Sequence, residues 1–341
     1  MSAEGVPRRR RLGALAVVAA TVLALIVTEN VLAAAYLNRI ERFSTDFSST
    51  FLLRRIQALK ASGPQVVFMG DSSLWGYGLP PGSNAVAILA AEGCPCANLA
   101  FKAGSPPNYY ALALLLQAAG YRPKLVVLEI NQPAFNPADQ GYATLHPGLE
   151  TVARPLLDPA DWAALGLSTA PSSLPGEADR WLSSLWLVYG ARADLRASIL
   201  GDTDVVPKEP PPADAFLGTY DLAPLDERNT GVHYLEKTAD LLRRQGIPAV
   251  AFFTPTNHAL LHEYIDVPEY ASNGRYIAHL LEQRGVAVID LDRAFPAADF
   301  IDNTHLTKQG QRRLAAVLAR RIPALGVAQV SALPLHEASS P

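Results

Sequence analysis

Four short polar clusters in this 341-residue chain carry side chains able to do chemistry: Gly70-Asp71-Ser72-Ser73, Ala103-Gly104-Ser105, Asn131, and Asp302-Asn303-Thr304-His305. A serine hydroxyl attacks a carbonyl at neutral pH only when a base takes its proton. Imidazole titrates near working pH without perturbation, which makes His305 the candidate base and Ser72 the candidate nucleophile. Asp302 can accept the second ring N–H of that imidazole and fix its tautomer. The oxyanion formed in acyl transfer needs donors aimed at it; the candidates are the Ser72 N–H, an N–H from Ala103 or Gly104, and the Asn131 side-chain amide. Gly70 suits a tight turn ahead of the serine, and Ser73 reads as a neighbouring cap. Together these are the parts of a nucleophilic hydrolase or acyltransferase site.

Each cluster must be positioned by what precedes it. Short, β-rich apolar runs occur at Gln65 to Met69, Cys96 to Leu99, Leu125 to Ile130, Ala249 to Phe253 and Ala287 to Leu291. They lack polar alternation, as strands buried on both faces do. Between and after them lie amphipathic helical stretches: Ala85 to Ala91, Tyr109 to Ala119, Glu227 to Gln245, Tyr276 to Arg284 and Leu306 to Ile322. That alternation predicts an α/β fold with a parallel sheet covered by helices, whose ligands bind beyond the carboxyl ends of the strands. The gap from about 133 to 226 is rich in proline, including Pro207, Pro210, Pro211 and Pro212, and holds Trp162, Trp181 and Trp186. It reads as a cap-like insertion over one end of the sheet, with a helical part from Glu177 to Leu200. The tryptophans either stack on sugar rings or belong to the core.

Remaining candidates are fewer. Thr254-Pro255-Thr256-Asn257-His258 follows the fourth run, so Asn257 or His258 either contacts substrate or satisfies loop backbone. Cys94 and Cys96 have neither the spacing nor the companions of a zinc site and read as small buried residues. No histidine has metal spacing, and no cofactor is implied. With 29 basic against 32 acidic residues and a net charge of −3, the chain has no basic surplus for a phosphate backbone, which argues against nucleic acid as a partner.

The N-terminus is different in texture. Arg8 to Arg11 precede Leu12 to Thr28, which carries no charge; Glu29 and Asn30 follow, then Val31 to Leu37. As a helix this segment is about 39 Å long, enough to cross a bilayer core of about 30 Å. The arginines favour a cytoplasmic N-terminus, which places the rest of the chain outside the inner membrane. A cleaved signal peptide ending at Ala33-Ala34-Ala35 is the competing reading. The expected division is an anchor over 1–38, a juxtamembrane linker over 39–62, a globular domain over 63–325 and a tail over 326–341.

Gly70-Asp71-Ser72, the Gly104 region, Asn131 and Asp302-x-x-His305 resemble, in chain order, the four blocks of the SGNH (GDSL) hydrolase superfamily. The resemblance implies a flavodoxin-like three-layer α/β/α sandwich with Ser, Gly, Asn and His as site residues. The anchored form is similar to the SGNH-like proteins of extracytoplasmic polysaccharide O-acetylation. It implies a periplasmic acyltransferase that moves an acyl group, through Ser72, to a polysaccharide or cell-wall polymer. A membrane-bound O-acyltransferase partner would supply that acyl group, because acetyl-CoA is cytoplasmic. An envelope esterase using water, or a binding protein that keeps only the fold, are the alternatives.

Overall fold

A computed structural model describes residues 8–37, 40, 42–63, 66–136, 143–167, 174–200, 212–216, 218–220 and 223–326. Residues 1–7, the tail from 327 onward, and Pro207, Pro210 and Pro211 lie outside these residues.

All five apolar runs form strands: β1 (Val66–Met69), β2 (Cys96–Asn98), β3 (Leu125–Ile130), β4 (Ala249–Phe253) and β5 (Ala287–Ile289). The helices in chain order are α1 (Arg8–Leu37), α2 (Ser49–Ser62), α3 (Ser72–Trp75), α4 (Ala85–Ala91), α5 (Pro106–Ala118), α6 (Pro147–Ala153) and α7 (Pro159–Ala164). They continue with α8 (Leu174–Leu185), α9 (Leu187–Gly190), α10 (Arg192–Leu200), α11 (Thr230–Arg244), α12 (His258–Ile265), α13 (Pro268–Glu282) and α14 (Lys308–Arg321).

The strands pair in parallel in the order β2-β1-β3-β4-β5, the flavodoxin-like doubly wound arrangement. β1 and β3 are buried along their whole length, while the edge strand β5 is partly exposed. α5 packs against α11, and α11 against α13, to form one helical layer; α4 packs against α14 in the other, as right-handed crossovers require. The chain leaves β1 outward to β2 and then passes back over β1 to β3. The carboxyl ends of β1 and β3 therefore flank the topological switch point, the usual ligand crevice of such sheets.

Local chemistry moves some helix boundaries. α5 begins at Pro106-Pro107, ahead of the expected Tyr109, because prolines are tolerated in a first turn whose N–H groups have no intrahelical acceptor. Pro268 opens α13 in the same way, two turns before Tyr276.

α1 is continuous, and its stretch Ala16–Leu37 is long and apolar enough to cross a membrane. Its last turn enters the domain: Ala33 and Leu37 are buried, and Leu37 joins the main core. Within residues 42–62 the chain packs into the domain, and its second half is the helix α2. Phe43, Phe47, Phe51, Leu52 and Ile56 are all buried in that core, because five large apolar side chains at these spacings have a stable place only inside it. Arg55 of α2 donates to the Asn98 carbonyl on the edge strand β2 at 3.3 Å, which satisfies an otherwise open edge.

The insertion reaches the carboxyl edge of the sheet at its two ends. Near its start, Asn108 donates to the Thr144 carbonyl at 3.2 Å; near its close, Asn303 donates to the Tyr220 hydroxyl at 3.1 Å. Its middle packs on the flank instead. Asp161 of α7 pairs with Lys237 of α11 at 2.5 Å, and α9 lies against α1 and α2.

Candidate active site

Ser72 is the first residue of α3, immediately beyond the carboxyl end of β1. The turn that presents it is held from three sides. Asp71 is the N-cap and accepts the Ser73 N–H at 2.8 Å. The second Asp71 oxygen accepts from the Asn131 amide at 2.6 Å, across from β3. Beneath both, Glu129 Oε2 accepts the N–H groups of Asp71 at 2.9 Å and Leu74 at 3.3 Å. A side chain on Gly70 would collide with the Glu129 carboxyl and Leu74, so the turn needs glycine there.

His305 arrives on a tight loop between β5 and α14. An antiparallel bridge between Phe300 and Leu306 closes it, and the Ile301 N–H donates to the His305 carbonyl at 2.7 Å. Inside it, Asp302 accepts the His305 Nδ1–H at 2.7 Å and the His305 backbone N–H at 2.9 Å. A carboxylate only accepts, so the proton sits on Nδ1 and Nε2 is left with its lone pair. That lone pair faces the Ser72 hydroxyl, 2.8 Å away. Burial works to raise the Asp302 pKa, but the hydrogen bonds and charge of His305 outweigh it and hold the carboxyl below its usual range. The Tyr77 ring packs against the imidazole at a 35° tilt, with centroids 4.3 Å apart, and limits its rotation.

The two halves are clamped to each other away from the hydroxyl. Ser73 Oγ donates to the Thr304 carbonyl at 2.8 Å, and Gln311 of α14 donates to the Ser73 carbonyl at 2.8 Å. Ser73 is thus a brace between loops and not the cap. The helix that follows, α14, is capped by Thr307, which accepts the Gly310 N–H at 3.1 Å, so Asp302 is not needed as its cap.

Of the expected oxyanion donors, the Ser72 and Ala103 N–H groups have no hydrogen-bond partner among the described residues. Gly104 needs correction: its N–H is spent on the Phe101 carbonyl at 3.0 Å. Its role is steric, because its α-carbon lies against the Gly70 carbonyl where no side chain fits. That close approach, with the Phe101 N–H donating to the Gly70 carbonyl at 3.3 Å, sets the second turn against the first. Ala103 has φ of 55°, a left-handed conformation that costs a non-glycine residue about 1–2 kcal/mol and is held by this contact. One N–H of the Asn131 amide goes to Asp71, which leaves its second for a ligand.

Asn257 and His258, expected either to contact substrate or to satisfy loop backbone, both have partners within the loops. Asn257 is the N-cap of α12, where it accepts from the Leu260 N–H at 3.3 Å and donates to the Asp302 carbonyl at 3.0 Å. His258 pairs with Asp292 at 2.7 Å, and Asp292 also accepts from the Tyr270 hydroxyl at 2.6 Å. The Asn257 amide and the His258 Nε2 thus help to hold loops together. Among the tryptophans, Trp162 packs at the core edge under Arg154, Trp186 donates to Glu29 at 2.9 Å, and Trp181 is exposed. Cys94 is buried, Cys96 is half-buried, and neither forms a disulfide.

The residue that sequence reasoning missed is Glu129. It is fully buried, and burial together with the nearby Asp71 carboxylate pushes its carboxyl well above the usual range. The signal was present: it is the one ionisable residue in the otherwise apolar run Leu-Val-Val-Leu-Glu-Ile of β3.

A protein-family model without a descriptive name matches residues 227–325. No curated protein matches the sequence. A solved structure from Desulfitobacterium hafniense, described as a lipolytic protein of the G-D-S-L family, is similar over 76% of this chain and 98% of that one, with 11% identity and a TM-score of 0.37. Similarity at that level assigns no chemistry, which rests here on the geometry of the site.

Proposed function

We propose that the protein is a membrane-anchored, serine-dependent O-acyltransferase of the SGNH type, working outside the inner membrane on a polysaccharide or cell-wall polymer. The observation that supports this most is the unbroken chain from Asp302 through His305 to Ser72, with links of 2.7 and 2.8 Å. A binding module has no need of an oriented base against a hydroxyl.

In the proposed reaction Ser72 Oγ attacks the acyl carbon of a donor ester while His305 Nε2 takes the hydroxyl proton. The Ser72 and Ala103 N–H groups and the second Asn131 amide hydrogen receive the oxyanion. Collapse expels the donor oxygen, which takes the proton from the imidazolium and leaves an acyl-serine. An acceptor hydroxyl then gives its proton to His305 and attacks the acyl carbon; Ser72 Oγ leaves, takes that proton back from the imidazolium, and the hydroxyl and neutral base are restored. Asp302 stays ionised and offsets the charge on the imidazolium. A polytopic O-acyltransferase in the same membrane is the proposed source of the acyl group. Ser72 is half-exposed, so water can enter as acceptor. That supports an envelope esterase as the second reading.

Two measurements test this. Full-length protein in detergent should cleave a chromogenic acetyl ester, and Ser72→Ala should abolish the cleavage. In a deletion strain, a fall in envelope-polymer acetyl content supports transfer and a rise supports hydrolysis. Acetyl content unchanged by deletion, with no ester cleavage in vitro, would refute both.

A further inference from the structure

α8 faces the wrong way for a helix of a water-soluble domain. Ala178, Trp181, Leu182 and Leu185 fall at the i, i+3, i+4, i+7 spacing of one helical stripe, the kind that normally turns inward. Here the opposite side meets the protein. Asp179 accepts from the Tyr189 hydroxyl at 2.8 Å and from Arg192 at 3.1 Å, and the Ser183 carbonyl lies against Gly190 at the end of α9. The apolar stripe is left outside, with Trp181 62% and Leu185 53% exposed. On α10, Ile199 is 68% exposed. A cluster of this kind on a soluble surface marks a partner, and its neighbourhood identifies which one.

The stripe sits where the apolar surface of α1 ends. Asn30 donates to the Leu185 carbonyl at 3.1 Å and accepts the Leu187 N–H at 2.7 Å. Trp186 donates its indole N–H to Glu29 at 2.9 Å, and the Tyr36 and Ser198 hydroxyls lie 3.0 Å apart. α8 and α10 are therefore bound to the outer turns of the helix whose residues Val22, Leu23, Leu25 and Val27 are bare. Leu12 to Thr28 alone spans about 25 Å as helix, at the short end of what crosses a bilayer. The polar pair Glu29 and Asn30 then falls at headgroup depth, satisfied by α8 and α9.

We infer that Trp181, Leu182 and Leu185 of α8, with Ile199 of α10, enter the outer leaflet of the bilayer crossed by α1, making this face a second, interfacial lipid contact. The inference rests on the anchoring by α1 proposed above. Tryptophan and leucine on the apolar side, with the polar side engaged elsewhere, are what an interfacial helix requires. The protein is then held at two points, one spanning and one lying in the membrane plane.

Full-length protein reconstituted into phosphatidylcholine/phosphatidylglycerol vesicles tests this through tryptophan fluorescence. Trp75 is buried and serves as the internal reference. Lipids brominated high on their acyl chains should quench the wild type, and Trp181→Phe should remove the largest share of that quenching without changing the melting curve. Quenching equal in wild type and Trp181→Phe overturns the inference. So does an unquenched Trp181 together with a doubled protein mass, which would assign the face to a second copy. Alkaline carbonate extraction separates the two claims: release of the whole chain would overturn the anchor itself, whereas retention with unquenched Trp181 would overturn only the interfacial contact.

Discussion

The carboxyl of Glu129 accepts the backbone N–H of Asp71 at 2.9 Å, so a side chain on β3 fixes the turn that presents Ser72 just beyond β1. Thr254 of the next loop places its hydroxyl 3.3 Å from the other carboxyl oxygen. The pKa of this carboxyl is raised well above its ordinary value of 4.5, so the proton is bound more tightly in the folded chain than in the unfolded one. Its contribution to stability is complete below that ordinary value and is lost as pH rises towards the folded one. Glu129→Gln keeps the acceptor and cannot titrate. It should match the wild type in acid and become the more stable protein as pH rises. Glu129→Ala should lose about 1–3 kcal/mol for each buried N–H left unpaired. Melting curves across pH decide; a wild type and Gln variant that stay parallel refute the assignment.

Gly104→Ala tests the contact between the two turns. The added methyl collides with the Gly70 backbone, and overpacking of this kind costs about 1–3 kcal/mol. A displacement of about 1 Å at a reacting centre lowers the rate by about 10²-fold, so kcat should fall while the protein still melts cooperatively. Wild-type kcat in this variant would show that the 103–104 turn has no part in the reaction.

Asp302→Asn should lower kcat by about 10⁴-fold with the loop intact, since an amide can donate to Nδ1 and leave the proton on the wrong nitrogen. The variant also loses the stabilisation tied to a depressed carboxyl pKa. That stabilisation is present in the wild type above its ordinary value of 3.8 and disappears as pH falls through the folded value. At neutral pH the variant should therefore melt earlier, and in strong acid the two should converge.

His146 gives the fold an acid sensitivity separate from the site. Its ring stacks on Phe47 with centroids 3.9 Å apart, donates Nε2–H to the Thr45 carbonyl at 2.9 Å and accepts the Gly148 N–H at 3.1 Å. Burial lowers its pKa from the ordinary 6.5, so the neutral ring is the folded form. Its contribution holds above that ordinary value and is lost as pH falls through the folded one. Chemical denaturation at a series of pH values should show stability falling below about 6.5 and a shallower fall in His146→Gln. Equal slopes would exclude His146 as the source.

The strands were legible because burial on both faces leaves an unbroken apolar run, and Leu125–Ile130 was readable to the residue. The meeting of Ser72, Asp302 and His305 in space was legible because each follows a strand or a loop in a pattern whose residue types have few other uses. Three things were not. Gly104 invited a donor role because a glycine N–H looks available, and sequence does not show that Phe101 has taken it. Asn257 and His258 follow β4 as expected, but their partners, Asp302 and Asp292, are remote in sequence and could not be read from it. The phenylalanines of residues 43–51 looked like linker because charges interrupt them, and only the third dimension gathers them around Phe101 and Trp75.

Asn30 clasps the backbone on either side of Trp186, and Leu37 is rooted among the phenylalanines, so the globular body does not hang from α1 on a slack leash. In a bilayer crossed by α1, such a body has little room to swivel or tip. The Ser72 hydroxyl then stands at one altitude and one bearing above the lipid. A long tether would let the site sweep a volume; here, under the proposed function, acceptors would have to be delivered to a single plane.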